Sequence, residues 1–134
     1  MKTLFEETVP KRILVIEDDS DALKFITESL KRVGYKVIGV GSGEEGLEKF
    51  REEKQDLVIL DITLPGIDGW EVLKKIKSGW RSKKIPVIML TAKDSDTDKL
   101  KGYDFGADFY VTKPFNIQKL LPVIRNIIME RSKK

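Results

Sequence analysis

The chain has 134 residues, 40% hydrophobic and 35% charged, with a formal charge of +3, which is room for about one domain of soluble globular composition. It contains neither cysteine nor histidine, so disulfides, thiolate or imidazole metal sites and His-based catalysis are all excluded. Any chemistry must come from carboxylates, hydroxyls or lysines.

The small positive charge does not argue for nucleic acid, because most basic residues are interleaved with acids on helix faces; the terminal RSKK reads as a solvated tail. The opening MKTLFEETVP lacks an apolar core of signal-peptide length, and no segment approaches the roughly 18 uninterrupted apolar residues of a membrane span. The expectation is a cytoplasmic protein without a membrane partner, with residues 1–10 as a loose tail and 11–134 as one domain.

In chain order, short apolar runs alternate with amphipathic stretches. RILVIE (12–17) reads as a strand, followed by a helix over DDSDALKFITESLKRVG in which Leu23, Ile26, Leu30 and Val33 recur at helical spacing. The Asp18–Asp21 cluster offers N-cap oxygens, and Gly34 is placed to end the helix. The pattern repeats as YKVIGV and GEEGLEKFREEK, with Leu47 and Phe50 on one face. It continues as DLVILD, a Pro-Gly loop and DGWEVLKKIKS; as IPVIMLT and DSDTDKLKGYDFG; and as DFYVT and KPFNIQKLLPVIRNIIMERSKK. Strands that are apolar nearly throughout are what a parallel sheet buried on both faces requires, with crossover helices as the covering layers. The fold class is doubly wound α/β.

Residues 41–46, GSGEEG, match G-x-G-x-x-G, and Asp61 lies twenty residues after Gly41, the spacing of a dinucleotide site. The glycines, however, follow the second strand rather than the first. Glu44 and Glu45 would also set negative charge where a pyrophosphate needs free amides. GSGEEG therefore reads as a turn and helix start.

In such a sheet, ligands bind beyond the carboxyl ends of the strands. Those ends carry Glu17 and Asp18, then Gly41–Gly43, Asp61, Thr91 and Lys113 in turn. Each has an ordinary reading: Asp18 or Thr91 as a helix cap, Lys113 as a solvated loop lysine. Together, the three acids repel one another unless a cation intervenes, and an all-oxygen set suits Mg²⁺ better than zinc. A lysine and a hydroxyl opposite them suit phosphoryl oxygens. The pattern reads as metal-assisted phosphoryl chemistry.

The segments ILVIEDDS, LVILDITLPGIDGWEVLKKIK, IPVIMLTAK and GADFYVTKPF, in this order and spacing, resemble the receiver domain of bacterial two-component response regulators, from about Lys11 to the end of the chain. The resemblance implies a flavodoxin-like (βα)5 fold with strand order 2-1-3-4-5. It makes Asp61 the phosphoacceptor, taking its phosphoryl group from the phosphohistidine of a sensor kinase. Asp18, Asp61 and the main-chain carbonyl of Thr63 would hold Mg²⁺, with Mn²⁺ as a substitute, and Glu17 would act through water. Lys113, preceding a cis bond to Pro114, would pair with Asp61 at rest and with the phosphoryl oxygens afterwards. Thr91 and Tyr110 would be the switch residues, and the fourth helix, fifth strand and fifth helix the output face.

Tyr110 also has an ordinary reading, as a half-buried strand tyrosine. Two residues depart from one large transcription-factor subfamily: Phe109 stands where that subfamily carries a second acid, and Pro122 is expected to bend or delay the last helix. The chain is thus expected to be a phosphoacceptor rather than an enzyme, slow self-dephosphorylation aside, with loop residues such as Thr63 and Lys93 setting the phosphoryl lifetime. Two alternatives stand beside this. One is a receiver excised from a hybrid kinase or larger regulator. The other is an aspartyl-phosphate phosphatase of the haloacid dehalogenase type, which wants an acid where Thr63 stands.

Overall fold

The apolar runs form the strands they predict, and each spends alternate side chains on opposite faces of one sheet. The computed structural model describes residues 9–91 and 106–132. Its elements are β1 (Arg12–Ile16), α1 (Ser20–Arg32), β2 (Lys36–Val40), α2 (Gly43–Glu52), β3 (Leu57–Asp61), α3 (Gly69–Ser78), a short 3-10 turn (Ser82–Lys84), β4 (Val87–Thr91), β5 (Phe109–Thr112) and α4 (Ile117–Ser132). Residues 1–8 of the expected loose tail 1–10, and residues 92–105 with most of the expected fourth helix and Lys93, lie outside the described residues.

All five strands are parallel, in the order β2-β1-β3-β4-β5, the flavodoxin-like order. Leu14, Ile16, Val58, Leu60, Val87 and Met89 pack on one face with Leu47 of α2 and Val72, Leu73 and Ile76 of α3. Ile13, Val15, Leu57, Ile59, Ile88 and Leu90 pack on the other with Ile26 and Leu30 of α1 and Leu120, Ile124 and Ile128 of α4. A strand side chain alternates faces with period two, so runs without polar interruption follow from helices covering both sides.

Within α1, Asp19 supplies the cap: its side chain accepts the amides of Asp21 at 2.9 Å and Ala22 at 3.1 Å. The chain leaves the helix through Gly34, whose φ of 105° suits a residue without a Cβ. Val33, expected on the apolar stripe, is the C-cap and is 55% exposed, because the helix stops before it can turn inward. The last helix is not delayed by Pro122, for α4 begins five residues ahead of it and continues past it. Leu120, Ile124 and Ile128 bury on both sides of the proline. At roughly 1.5–3 kcal/mol each, that burial exceeds the ~3 kcal/mol a helix-interior proline costs.

Candidate functional site

Asp61 closes β3 at the carboxyl edge of the sheet and is 5% exposed. Both its oxygens are engaged. Oδ1 accepts the Thr63 amide at 3.0 Å, and Oδ2 lies 2.8 Å from the Lys113 ammonium. The cation and the amide replace the water that burial takes from this side chain.

Glu17 follows β1 directly, its amide donating to Val40 O at 3.1 Å, and its side chain is fully buried. Its Oε1 stands 2.6 Å from Lys113 Nζ, while Oε2 accepts the Asp19 amide at 3.2 Å. Asp18 is exposed beside it, and one carboxylate oxygen from each of Glu17, Asp18 and Asp61 lies within 4.8 Å of the others. Lys113 follows β5, anchored by its amide to Thr91 O, and the bond to Pro114 is cis, as the resemblance implied. Lys113 was expected to pair with Asp61; it bridges Asp61 and Glu17 together. The structure therefore adds a direct partner for Glu17 that the reading through water omitted.

Thr91 ends β4, buried, in register with Thr112 of β5. Tyr110, in register with Met89, is half-buried against the α2–α3 face of the core. Thr63 is exposed in the loop after Asp61. Residues 41–43 form no part of the acid cluster: Ser42 caps α2, its hydroxyl accepting the Glu45 amide at 3.2 Å, so GSGEEG is the turn and helix start expected of it.

Burial raises the Glu17 carboxyl from 4.5 to about 7, reinforced by its contact with Asp61 and opposed by Lys113. Burial alone would depress the Lys113 ammonium, but its bonds to Asp61 and Glu17 outweigh that and hold it above the usual lysine value. Three carboxyl groups facing one ammonium leave the cluster short of positive charge. A hard cation with oxygen ligands fits such a set, and Glu17, Asp18 and Asp61 could hold one.

A parallel sheet of this order, with acids after β1 and β3 and a lysine after β5 gathered at one edge, defines a signalling receiver. A family model described as the response regulator receiver domain matches residues 13–125, and the chain belongs to that family. It is 41% identical over 118 residues to the alkaline phosphatase synthesis transcriptional regulatory protein PhoP of Bacillus subtilis, covering 88% of this chain and 48% of that protein. It is 44% identical over 117 residues to the transcriptional regulatory protein AfsQ1 of Streptomyces coelicolor, covering 87% and 50%. Among solved structures, a CheY-like response regulator receiver domain protein of Methanospirillum hungatei superposes with a TM-score of 0.87 at 33% identity, covering 93% of this chain and 98% of that one. The chain spans about half the length of the curated relatives it matches. Among the described residues no helix is long and apolar enough to cross a membrane.

Proposed function

We propose that this receiver accepts a phosphoryl group on Asp61 from the phosphohistidine of a sensor kinase and thereby switches its output face. The observation that carries the reading is the buried Asp61 carboxylate held 2.8 Å from Lys113, with Glu17 and Asp18 beside it. An Asp61 oxygen forms the new O–P bond as the P–N bond to the imidazole breaks, the electron pair leaving with the nitrogen. Each Asp61 oxygen has one partner at rest and keeps a second lone pair for phosphorus. Lys113 can follow the charge onto the phosphoryl oxygens, where an ammonium keeps its value as a counter-ion.

Mg²⁺, or Mn²⁺ in its place, would be held by Asp18, Asp61 and the Thr63 carbonyl, with Glu17 through water, and would neutralise the incoming oxygens. Thr91 would then hydrogen-bond a phosphoryl oxygen, and Tyr110 would respond to its displacement, coupling the site to β5 and α4. A second reading puts the same chemistry in a receiver excised from a hybrid kinase or larger regulator. It is favoured by the roughly twofold greater length of the relatives, 48% and 50% of which are matched.

The test is incubation with Mg²⁺ and acetyl phosphate, followed by mass spectrometry. One base-labile phosphoryl adduct is expected, absent with a chelator and absent or much reduced in Asp61→Asn. Asp18→Asn should bind Mg²⁺ more weakly and keep its fold, since the fold rests on the buried strands. No adduct under conditions that label a known receiver, or an adduct mapping to Ser42 or Thr63, overturns the assignment.

A further inference from the structure

The GSGEEG stretch stands outside the acid cluster, yet its contacts reach the loop that leaves Asp61. Within the first turn of α2 the two glutamates differ. Glu45 is turned back on its own helix, with Oε1 accepting the Ser42 hydroxyl at 3.2 Å. Glu44 points away from the helix end, and its Oε2 accepts the amide of Ile67, 23 residues along the chain, at 3.3 Å.

The backbones on either side are shaped for this approach. Gly66 has a φ of 70°, and a Cβ there would stand 2.8 Å from Glu44 Oε2. A Cβ on Gly43 would stand 2.7 Å from Ile67 O and 2.7 Å from Val72 Cγ2. Gly43 has no room for a side chain against the Ile67 carbonyl, and Gly66 takes a left-handed φ that favours glycine, where a Cβ would push on the Glu44 carboxylate.

This contact bears on the site because Thr63 lies in the same short loop. At one end the loop is held by the Thr63 amide on Asp61 Oδ1 and by the Gly69 amide on Ile62 O at 2.9 Å. At the other, Asp68 caps α3, accepting the Glu71 amide at 3.0 Å. Between them Leu64 is buried, and Glu44 ties Ile67 from a neighbouring helix.

We propose that Glu44 is a positioning residue for the metal-binding side of this site, fixing the 63–67 loop so that the Thr63 carbonyl is presented to a cation shared with Asp18 and Asp61. This rests on the Mg²⁺ reading above. Mg²⁺ demands near-ideal octahedral geometry, so a displaced carbonyl lowers its affinity, and groups that orient a ligand act on the metal without touching it.

The experiment compares wild type, Glu44→Ala and Glu44→Gln by Mg²⁺ titration against Trp70 fluorescence, by amide hydrogen exchange at Thr63 and Ile67, and by melting temperature. Glu44→Ala should speed exchange at both amides and weaken Mg²⁺ binding about threefold to tenfold, the scale of one net hydrogen bond. Its melting temperature should fall by no more than a few degrees, about what one net hydrogen bond costs a domain of this size. Glu44→Gln keeps a carbonyl acceptor and should stay within about twofold of wild type. Equal Mg²⁺ affinity in wild type and Glu44→Ala overturns the proposal. So does an equal loss in both variants, which would make the effect one of charge. If wild type binds no Mg²⁺, the metal reading itself fails, whereas unchanged Ile67 exchange in Glu44→Ala overturns the clamp alone.

Discussion

Glu17 concentrates the electrostatic problem of this site into one side chain. Its carboxyl is fully buried, faces Asp61, and carries a pKa of about 7 in the folded protein against 4.5 ordinarily. Between those values the folded state holds more protons than the unfolded chain, so metal-free stability should fall as pH rises from about 4.5 to 7. Above that window this contribution is constant. Roughly 1–3 kcal/mol is at stake. Lys113 has the same sense in a higher window: its raised pKa gives stability that is present below about 10.5 and lost as pH rises through the folded value. Thermal melts of metal-free protein from pH 5 to 8 should show the Glu17 slope. Glu17→Gln should remove it, and saturating Mg²⁺ should flatten it, because a cation favours the ionised acid. A wild-type melting temperature that rises from pH 5 to 7 in chelator would contradict the burial argument.

Among the elements, α4 is where local preference and packing conflict most openly. Pro122 removes a backbone donor inside a helix whose exposed side it occupies, while Leu120, Ile124 and Ile128 hold the opposite stripe against β-sheet residues such as Ile88 and Leu90. If packing overrides propensity here, Pro122→Ala relieves the local cost and leaves the stripe intact. The expected result is a stabilisation of about 1–3 kcal/mol, below or equal to the full helix-interior penalty because the surrounding helix is already formed. Urea unfolding measures it, and a variant less stable than wild type would mean that the proline contributes packing of its own. The same comparison of terms explains why Pro122, expected to bend or delay the helix, does not delay it. A single-residue rule was weighed without the three buried side chains that flank it.

Across the whole molecule, the proposed switch requires that events at Asp61 be felt at Tyr110, on the other face of the sheet. The alternation that builds the two cores also sorts the site. Glu17, Asp61 and Lys113 continue the parity of Val15, Ile59 and Val111, on the α1–α4 face. Thr91 continues that of Val87 and Met89, the face against which Tyr110 packs. A charge change on one face must therefore cross β4 to reach the other. Lys113 is suited to that transmission, since its side chain bridges two acids while its amide is tied to Thr91 O. Lys113→Ala should still bind Mg²⁺ and still gain some adduct with acetyl phosphate, but the phosphorylated variant should show little of the Tyr110 change expected of wild type. Ring resonances of Tyr110 before and after phosphorylation would report this, and a wild-type response in Lys113→Ala would remove the lysine from the switch. Much of this architecture was legible in the residues themselves. Uninterrupted apolar runs of strand length, separated by 3.6-period stretches, determine a two-sided parallel sheet, because only burial on both faces accommodates them, and the strand ends then name Glu17, Asp18, Asp61, Thr91 and Lys113. What the chain could not state is how those side chains divide their partners. That Lys113 takes Glu17 as well as Asp61, and that Glu44 reaches 23 residues onward to Ile67, depends on distances between segments remote in sequence. Periodicity sets which way a side chain faces, whereas the packing of helices on the sheet decides what it meets.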